Sequence, residues 1–198
     1  MSLKRNILAN YVSQIYVTVI GIVMVPMYVR FMGAETYGLV GFFAMLQAWF
    51  QLLDMGLTLT MTREAARFKG GAIDSLSLRR LLRAMEGIFA GMALLGCVVL
   101  MTSSGTIAVN WLKVQQLSMI EVQNSIMLIS VIVALRWVSG LYRGAITGFE
   151  QLVWLSGFNS IMATARFVMV IPYFMYVGTS PTEFFFYQLV LALIEIVV

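Results

Sequence analysis

Long apolar stretches alternate with short polar segments along the whole chain. A helix that crosses the hydrocarbon core of a bilayer needs about 20 mostly apolar residues. Six stretches come close to that requirement and predict membrane-spanning helices at 7–32, 37–62, 82–102, 122–146, 154–177 and 184–198. The pattern predicts an all-α membrane protein, with residues 1–198 as a single transmembrane lobe. The last span is short and ends with the chain, so we expect it to be truncated.

Composition agrees with this pattern. Of the 198 residues, 61% are apolar and 11% are charged, whereas soluble domains average about 45–50% and about 25%. The net charge of +4 does not predict a nucleic-acid partner, because the basic residues cluster between spans. The positive-inside rule predicts a multi-pass protein among membrane lipids with a cytoplasmic N-terminus, from Lys4 and Arg5 and from six later residues: Arg63, Arg67, Lys69, Arg79, Arg80 and Arg83.

The residue types of this chain do not indicate a catalytic site. Histidine is absent and Cys97 is the single cysteine, so neither an internal disulfide nor a Cys/His metal site is predicted. No nucleophile elbow, zinc-protease motif or phosphate-binding loop occurs. We therefore expect no cofactor and no enzymatic activity.

Four of the ionisable residues inside the predicted spans are surrounded by apolar sequence: Asp54, Arg136, Arg166 and Glu195. A charge at membrane depth costs from about 2.5 to over 10 kcal/mol, so it faces a partner or a water-filled cavity. Charged groups inside a helical bundle are typical of transport proteins.

Polar residues also share helical faces. Gln47, Gln51, Asp54 and Thr58 are spaced by four, three and four residues, which places them on one face of an unbroken helix. The first span repeats this arrangement, because Asn6, Asn10 and Gln14 lie four residues apart. Such a stripe either lines a pathway or forms interhelical hydrogen bonds, and both interpretations stay open.

Arginines distinguish the fourth and fifth spans. Arg136 and Arg143 lie seven residues apart, and Arg166 follows Asn159 by the same interval. A guanidinium group offers a planar fork of donors that suits phosphate oxygens. The alternative is that Arg136 or Arg166 neutralises Asp54 or Glu195. Gly140, Gly144 and Gly148 predict close contact with another helix.

Three segments resemble one known family. They are YGLVGFF (37–43), LLDMGLTLTMTREAAR (52–67) and the run from Ala134 to Ile171. They are similar to Wzx-type O-antigen and polysaccharide repeat-unit flippases of the MATE-like exporter superfamily. Asp54, Gly56 and Arg63 match a motif at the inner end of the second span, and the resemblance covers essentially the whole chain.

The resemblance implies a two-lobe fold of which this chain supplies the N-terminal lobe, while the C-terminal lobe is missing. It implies export of an undecaprenyl-diphosphate-linked oligosaccharide across the bacterial inner membrane, driven by H⁺ or Na⁺. By this resemblance, arginines would contact the diphosphate or acidic sugars, amides would contact sugar hydroxyls, and carboxylates would couple to the cation. The residues concerned are Arg136, Arg143 and Arg166; Gln14, Gln47, Gln51 and Asn159; and Asp54 and Glu195.

Two main alternatives remain, beside a membrane-embedded glycan enzyme, for which the sequence offers no acid–base set. One is a cation-coupled multidrug-type exporter of the same superfamily, for which we expect acidic and aromatic groups to dominate the cavity. The other is an inactive fragment or a partner subunit without transport activity. The intramembrane arginines match the carboxylates in number, which favours an anionic substrate.

Overall fold

The computed structural model describes residues 3–112 and 117–197. Of the structure, 89% is helical and the described residues contain no strand, so the predicted all-helical class is confirmed. The helices are α1 (Leu3–Leu53), α2 (Leu57–Lys69), α3 (Ser75–Thr102), α4 (Ser104–Thr106), a π-helical turn (Ile107–Leu112), α5 (Met119–Gly148), α6 (Leu152–Phe167), α7 (Val170–Tyr176) and α8 (Pro181–Val197).

Four helical stretches among the described residues have the length and apolar composition needed to cross a membrane: Lys4–Leu53, Ser75–Thr102, Met119–Gly148 and Leu152–Tyr176. The predicted span 184–198 corresponds to α8, which has 17 residues, and its last residue, Val198, lies outside the described residues. The chain therefore has the character of a helical membrane protein.

Helix α1 is interrupted by a reversal at Gly33, whose φ of 81° and ψ of 163° are non-helical. Only glycine adopts this conformation without strain. Asn6 donates to the carbonyl oxygen of Glu150 at 3.3 Å, and Lys69 pairs with the carboxylate of the same residue at 2.5 Å. Residues 6 and 69 therefore both lie next to Glu150. The chain runs in one direction along a first arm (3–32), reverses at Gly33, and returns along a second arm (34–53) and α2.

The second predicted span is not one continuous helix, as the sequence pattern suggested. It is broken at Met55 and Gly56, which have φ of 44° and 88°, and α2 starts afresh at Leu57. Asp54 accepts hydrogen bonds from the N–H of Thr58 at 3.1 Å and from its hydroxyl at 2.8 Å. Short polar side chains compete with the helical ladder in this way, which explains the break.

The fifth predicted span is also divided, between α6 and α7. Pro172 has no N–H to donate to the carbonyl of Val168, four residues earlier. Instead, the N–H of Ile171 donates a hydrogen bond to the carbonyl oxygen of Val168 at 3.0 Å. The helical ladder is therefore shifted at this point, and the predicted stretch 154–177 forms two helices.

Helix α5 lies at the centre of the bundle and packs against α2, α3 and α8. Trp137 of α5 stacks on Phe89 at a centroid distance of 4.6 Å. The backbone of Gly144 approaches α2 so closely that a Cβ would lie 2.8 Å from Cγ2 of Thr58, whereas a Cβ at Gly140 would meet nothing within 4 Å. Two of the three predicted small residues, Gly144 and Gly148, thus serve close helix contact.

Candidate functional site

A polar cavity of about 470 Å³ opens between the second arm, the start of α2, and helices α5, α6 and α8. Its walls combine the aromatic rings of Phe50 and Trp137 with polar side chains from five segments of the chain. The polar lining includes Gln47, Gln51, Asp54, Thr58, Arg136, Arg143, Arg166 and Glu195. The four ionisable residues that the sequence placed inside spans therefore share one hollow.

Glu195 is the centre of a charged cluster in this cavity. Its side chain has no exposed surface, and it forms ion pairs with Arg166 in close contact, with Arg136 at 3.6 Å and with Arg143 at 3.9 Å. We call these four residues the arginine cluster. One carboxylate thus faces three guanidinium groups that come from two different helices.

Neighbouring side chains hold the arginines in place. The Nη2 atom of Arg136 donates to Oε1 of Gln188 at 2.9 Å, and its guanidinium lies 5.2 Å from the ring centroid of Phe43. The Nη1 atom of Arg143 donates to Oδ1 of Asn159 at 2.9 Å. Because these partners hold one side of the guanidinium groups of Arg136 and Arg143, both groups are oriented before any ligand arrives.

Gln188 is a site residue that the sequence reasoning did not select. It is buried, and besides accepting from Arg136 it donates to the carbonyl oxygen of Arg166 at 3.3 Å. Its spacing of seven residues from Glu195 on α8 is the signal that identifies it, since residues one heptad apart lie on one face of a helix.

Asp54 lies at the break before α2 and lines the cavity, but it makes no ion pair within 3–112 and 117–197. Its carboxylate caps the first turn of α2 through Thr58. The predicted pairing of a span arginine with Glu195 is present, whereas the alternative pairing with Asp54 is not. Asp54 therefore contributes negative charge and a helix cap to the cavity wall.

Two predicted pathway residues lie elsewhere. Gln14 is exposed on the first arm and does not line the cavity, because the buried face of that arm carries Ser13, which donates to the carbonyl oxygen of Ser156 at 2.9 Å. Asn159 does not reach the cavity wall either, and acts instead through its hydrogen bond to Arg143.

A second cavity of about 330 Å³ adjoins the arginine cluster. It shares Arg143 and Glu195 with the polar cavity, but aromatic and aliphatic groups form most of its remaining wall. The rings of Trp154 and Phe158 stack there with centroids 5.4 Å apart. The shared ion pair therefore stands between a polar compartment and a predominantly apolar one.

The lining of the polar cavity has an excess of positive charge. Three arginines face two carboxylates, Asp54 and Glu195, so the lining carries a net charge of +1. Arginine binds carboxylate and phosphate oxygens through paired donors. Within the described part of the chain, no group of three or more His, Cys, Asp or Glu residues is arranged to hold a metal ion.

The bundle end beyond the cavity carries a separate ion pair. Lys69 of α2 contacts Glu150, which follows α5, and the hydrogen bond from this lysine lowers the pKa of the Glu150 carboxyl below its ordinary value. Both side chains are exposed, so the pair adds little stability. The pair nevertheless shows that α2 ends next to the turn between α5 and α6.

Comparisons with protein-family models, with curated proteins and with solved structures found no match.

Proposed function

We propose that this chain is the N-terminal lobe of a Wzx-type flippase. It would move an undecaprenyl-diphosphate-linked oligosaccharide, such as an O-antigen or capsule repeat unit, across the bacterial inner membrane by alternating access. The proposal rests on a single observation: three arginines converge on one buried carboxylate in the wall of a polar cavity between apolar helices.

The charge balance of the cavity supports an anionic substrate. A diphosphate cannot enter hydrocarbon unaided, because burying an unpaired ion is costly. Guanidinium groups that are already oriented by Gln188, Phe43 and Asn159 offset that cost at the head group. The polyprenyl tail would remain among the lipids, where it needs no polar partner.

The course of the chain supports a six-crossing lobe. Helix α1 is too long for one crossing, and its reversal at Gly33 divides it into two arms that supply crossings one and two. In the proposed topology, the basic segment between Arg63 and Arg83 and the N-terminus face the cytoplasm. The C-terminal lobe would supply the opposite wall of the cavity, as transporters with two halves require.

The multidrug-exporter alternative predicts a cavity dominated by acidic and aromatic groups. The excess of arginines over carboxylates in the lining argues against a cationic drug as the substrate. We therefore propose the diphosphate lipid, rather than a cationic drug, as the substrate.

Binding by the purified chain in phosphatidylcholine nanodiscs tests the proposal. Three ligands are compared: an undecaprenyl-diphosphate-linked oligosaccharide, undecaprenol and the cationic dye ethidium. We expect the diphosphate lipid to bind at least about tenfold more tightly than undecaprenol, a difference of about 1.4 kcal/mol. Replacing Arg166 with Ala should remove this preference, whereas Arg63→Ala, which changes an exposed residue outside the cavity, should retain it.

Other outcomes distinguish the alternatives. Preferential binding of ethidium would favour a multidrug-type exporter. Equal binding of undecaprenol and the diphosphate lipid would contradict the anion site. If binding is selective, co-reconstitution with a C-terminal lobe and a fluorescent lipid-linked substrate then tests whether the chain takes part in flipping.

A further inference from the structure

The geometry of the arginine cluster points to a specific role for Glu195: we propose that it is a built-in counter-anion, which the phosphate groups of the ligand displace. This inference rests on the proposed function, because it takes the polar cavity to be the site of an anionic head group. It assigns Glu195 a different role from the cation coupling that the family resemblance implies.

Glu195 lies among all three arginines. Its carboxylate contacts Arg166 and lies 3.6 Å from Arg136 and 3.9 Å from Arg143. A phosphoryl group bound by the same three arginines would have to occupy this same place. The ligand and Glu195 are therefore competitors for one set of donors.

The contacts of Glu195 leave some arginine donors unsatisfied. Its carboxylate lies beyond hydrogen-bond distance of Arg136 and Arg143, at 3.6 and 3.9 Å, and the Nε atoms of Arg136 and Arg166 have no acceptor among the described residues. A buried charge is well compensated only when its lone pairs and protons are also hydrogen-bonded. The carboxylate thus neutralises the arginines without satisfying all of their donors, and a phosphate with more oxygens satisfies more of them.

Glu195 also lies between the two cavities. Glu195 and Arg143 line both the polar cavity and the apolar one next to it. Displacing the carboxylate from the arginines would join the two spaces. The joined space would suit an amphiphile, whose phosphates meet the arginines while its apolar part meets Trp154 and Phe158.

Glu195 therefore has two effects on a transport cycle. It keeps the arginines neutralised while the site is empty, and its return helps to expel the anion. A variant without this charge should hold an anion more tightly and release it more slowly.

Inorganic pyrophosphate is the probe for this role. It is titrated at constant ionic strength into the 198-residue chain in phosphatidylcholine nanodiscs, and binding is followed by calorimetry. We expect Glu195→Gln to bind pyrophosphate at least about tenfold more tightly than the parent chain, since close charge pairs of this kind couple strongly. Glu195→Asp, which keeps the charge but withdraws it by one methylene, should give an intermediate increase and decides the test if the glutamine variant does not fold.

A matched control separates local from global charge. Glu121→Gln changes the net charge by the same amount, but Glu121 is in the first turn of α5 and hydrogen-bonds Ser118, away from the arginine cluster. It should leave the affinity unchanged. Arg166→Ala should weaken pyrophosphate binding in every background.

The failures can be told apart. If Arg166→Ala weakens binding but neither Glu195 variant tightens it, the counter-anion role is wrong and the proposed anion site stands. If pyrophosphate binds neither the parent chain nor the Glu195 variants, or if Arg166→Ala has no effect, the anion site and the counter-anion role are both contradicted.

Discussion

Asp54 and Glu195 are both carboxylates inside apolar stretches, yet they have different partners. Glu195 pairs with three arginines, whereas Asp54 accepts hydrogen bonds from Thr58 and caps α2. The sequence predicted that both would face the bundle interior, because the lipid excludes charge. It could not predict which carboxylate meets the arginines, since that depends on the relative rotation of three helices far apart in the chain.

The capping role of Asp54 gives a prediction at the residue scale. Asp54→Ala should lower the free energy of unfolding by about 0.5–1.5 kcal/mol, the usual loss for one hydrogen bond, because it removes the acceptor of the Thr58 N–H in the first turn of α2. Asp54→Asn, which still caps but is uncharged, should retain most of that stability. Thermal unfolding in detergent, followed by tryptophan fluorescence, compares the variants. Equal losses in both variants would show that the charge, rather than the cap, stabilises this turn.

At the scale of helices, the glycine ladder of α5 shows how much the sequence could predict. The spacing of Gly140, Gly144 and Gly148 predicted a tight contact along the whole ladder, but α2 closes only on the last two. The break after Asp54 ends the close approach before it reaches Gly140, which therefore lines the cavity. Helical periodicity alone could not reveal this, because the break arises from one side chain.

Matched alanine substitutions test this difference. Gly144→Ala would place a Cβ 2.9 Å from the backbone oxygen of Thr58, so we expect it to destabilise the fold by about 1–3 kcal/mol through overpacking. Gly140→Ala meets open space and should be neutral or stabilise α5 by up to about 1 kcal/mol, because alanine favours helix. Unfolding of each variant in a series of mixed detergents measures both changes in stability. Equal effects would contradict the close α2–α5 contact.

Helix α3 offers a pH test outside the predicted membrane region. Asp74 caps this helix, and its hydrogen bond with Ser77 lowers the pKa of the carboxyl from its ordinary value of 3.8. A lowered folded-state pKa stabilises the fold above the ordinary value, and this stabilisation disappears as the pH falls through the lowered pKa.

The Asp74→Ala variant should therefore have a lower Tm than the parent chain at pH 7, and the difference should shrink as the pH falls below about 4. Asp74→Asn serves as the control, because its cap does not titrate and its Tm should stay closer to that of the parent at neutral pH. A Tm difference for the alanine variant that does not change with pH would contradict the capping carboxylate.

At the scale of the molecule, composition and long apolar runs sufficed to predict a helical membrane protein. The sequence predicted two separate spans, one before and one after Gly33. The structure joins them in one helical element that reverses at this glycine. The arrangement of the cavity was beyond the sequence, because its walls come from segments that meet only after folding. We therefore expect the interior of the bundle to be wet and its charge to favour anions.

Cysteine accessibility tests this claim most directly. In a Cys97→Ser background, which removes the single native cysteine, Gly140→Cys places a thiol on the cavity wall. Ile161→Cys places one on the outer surface of α6, where Ile161 is 69% exposed and would face lipid. Both are treated in proteoliposomes with membrane-impermeant methanethiosulfonates that carry either a sulfonate or a trimethylammonium group, and rates are normalised to those of a free thiol.

We predict that the cysteine at 140 reacts several-fold faster with the anionic reagent at low salt, because a cleft with net positive charge concentrates anions by roughly tenfold or more. High salt should remove this preference by screening, and the cysteine at 161 should react with neither reagent. A cysteine at 140 that is inert to both reagents, or that prefers the cationic one, would contradict a water-filled, anion-selective cavity.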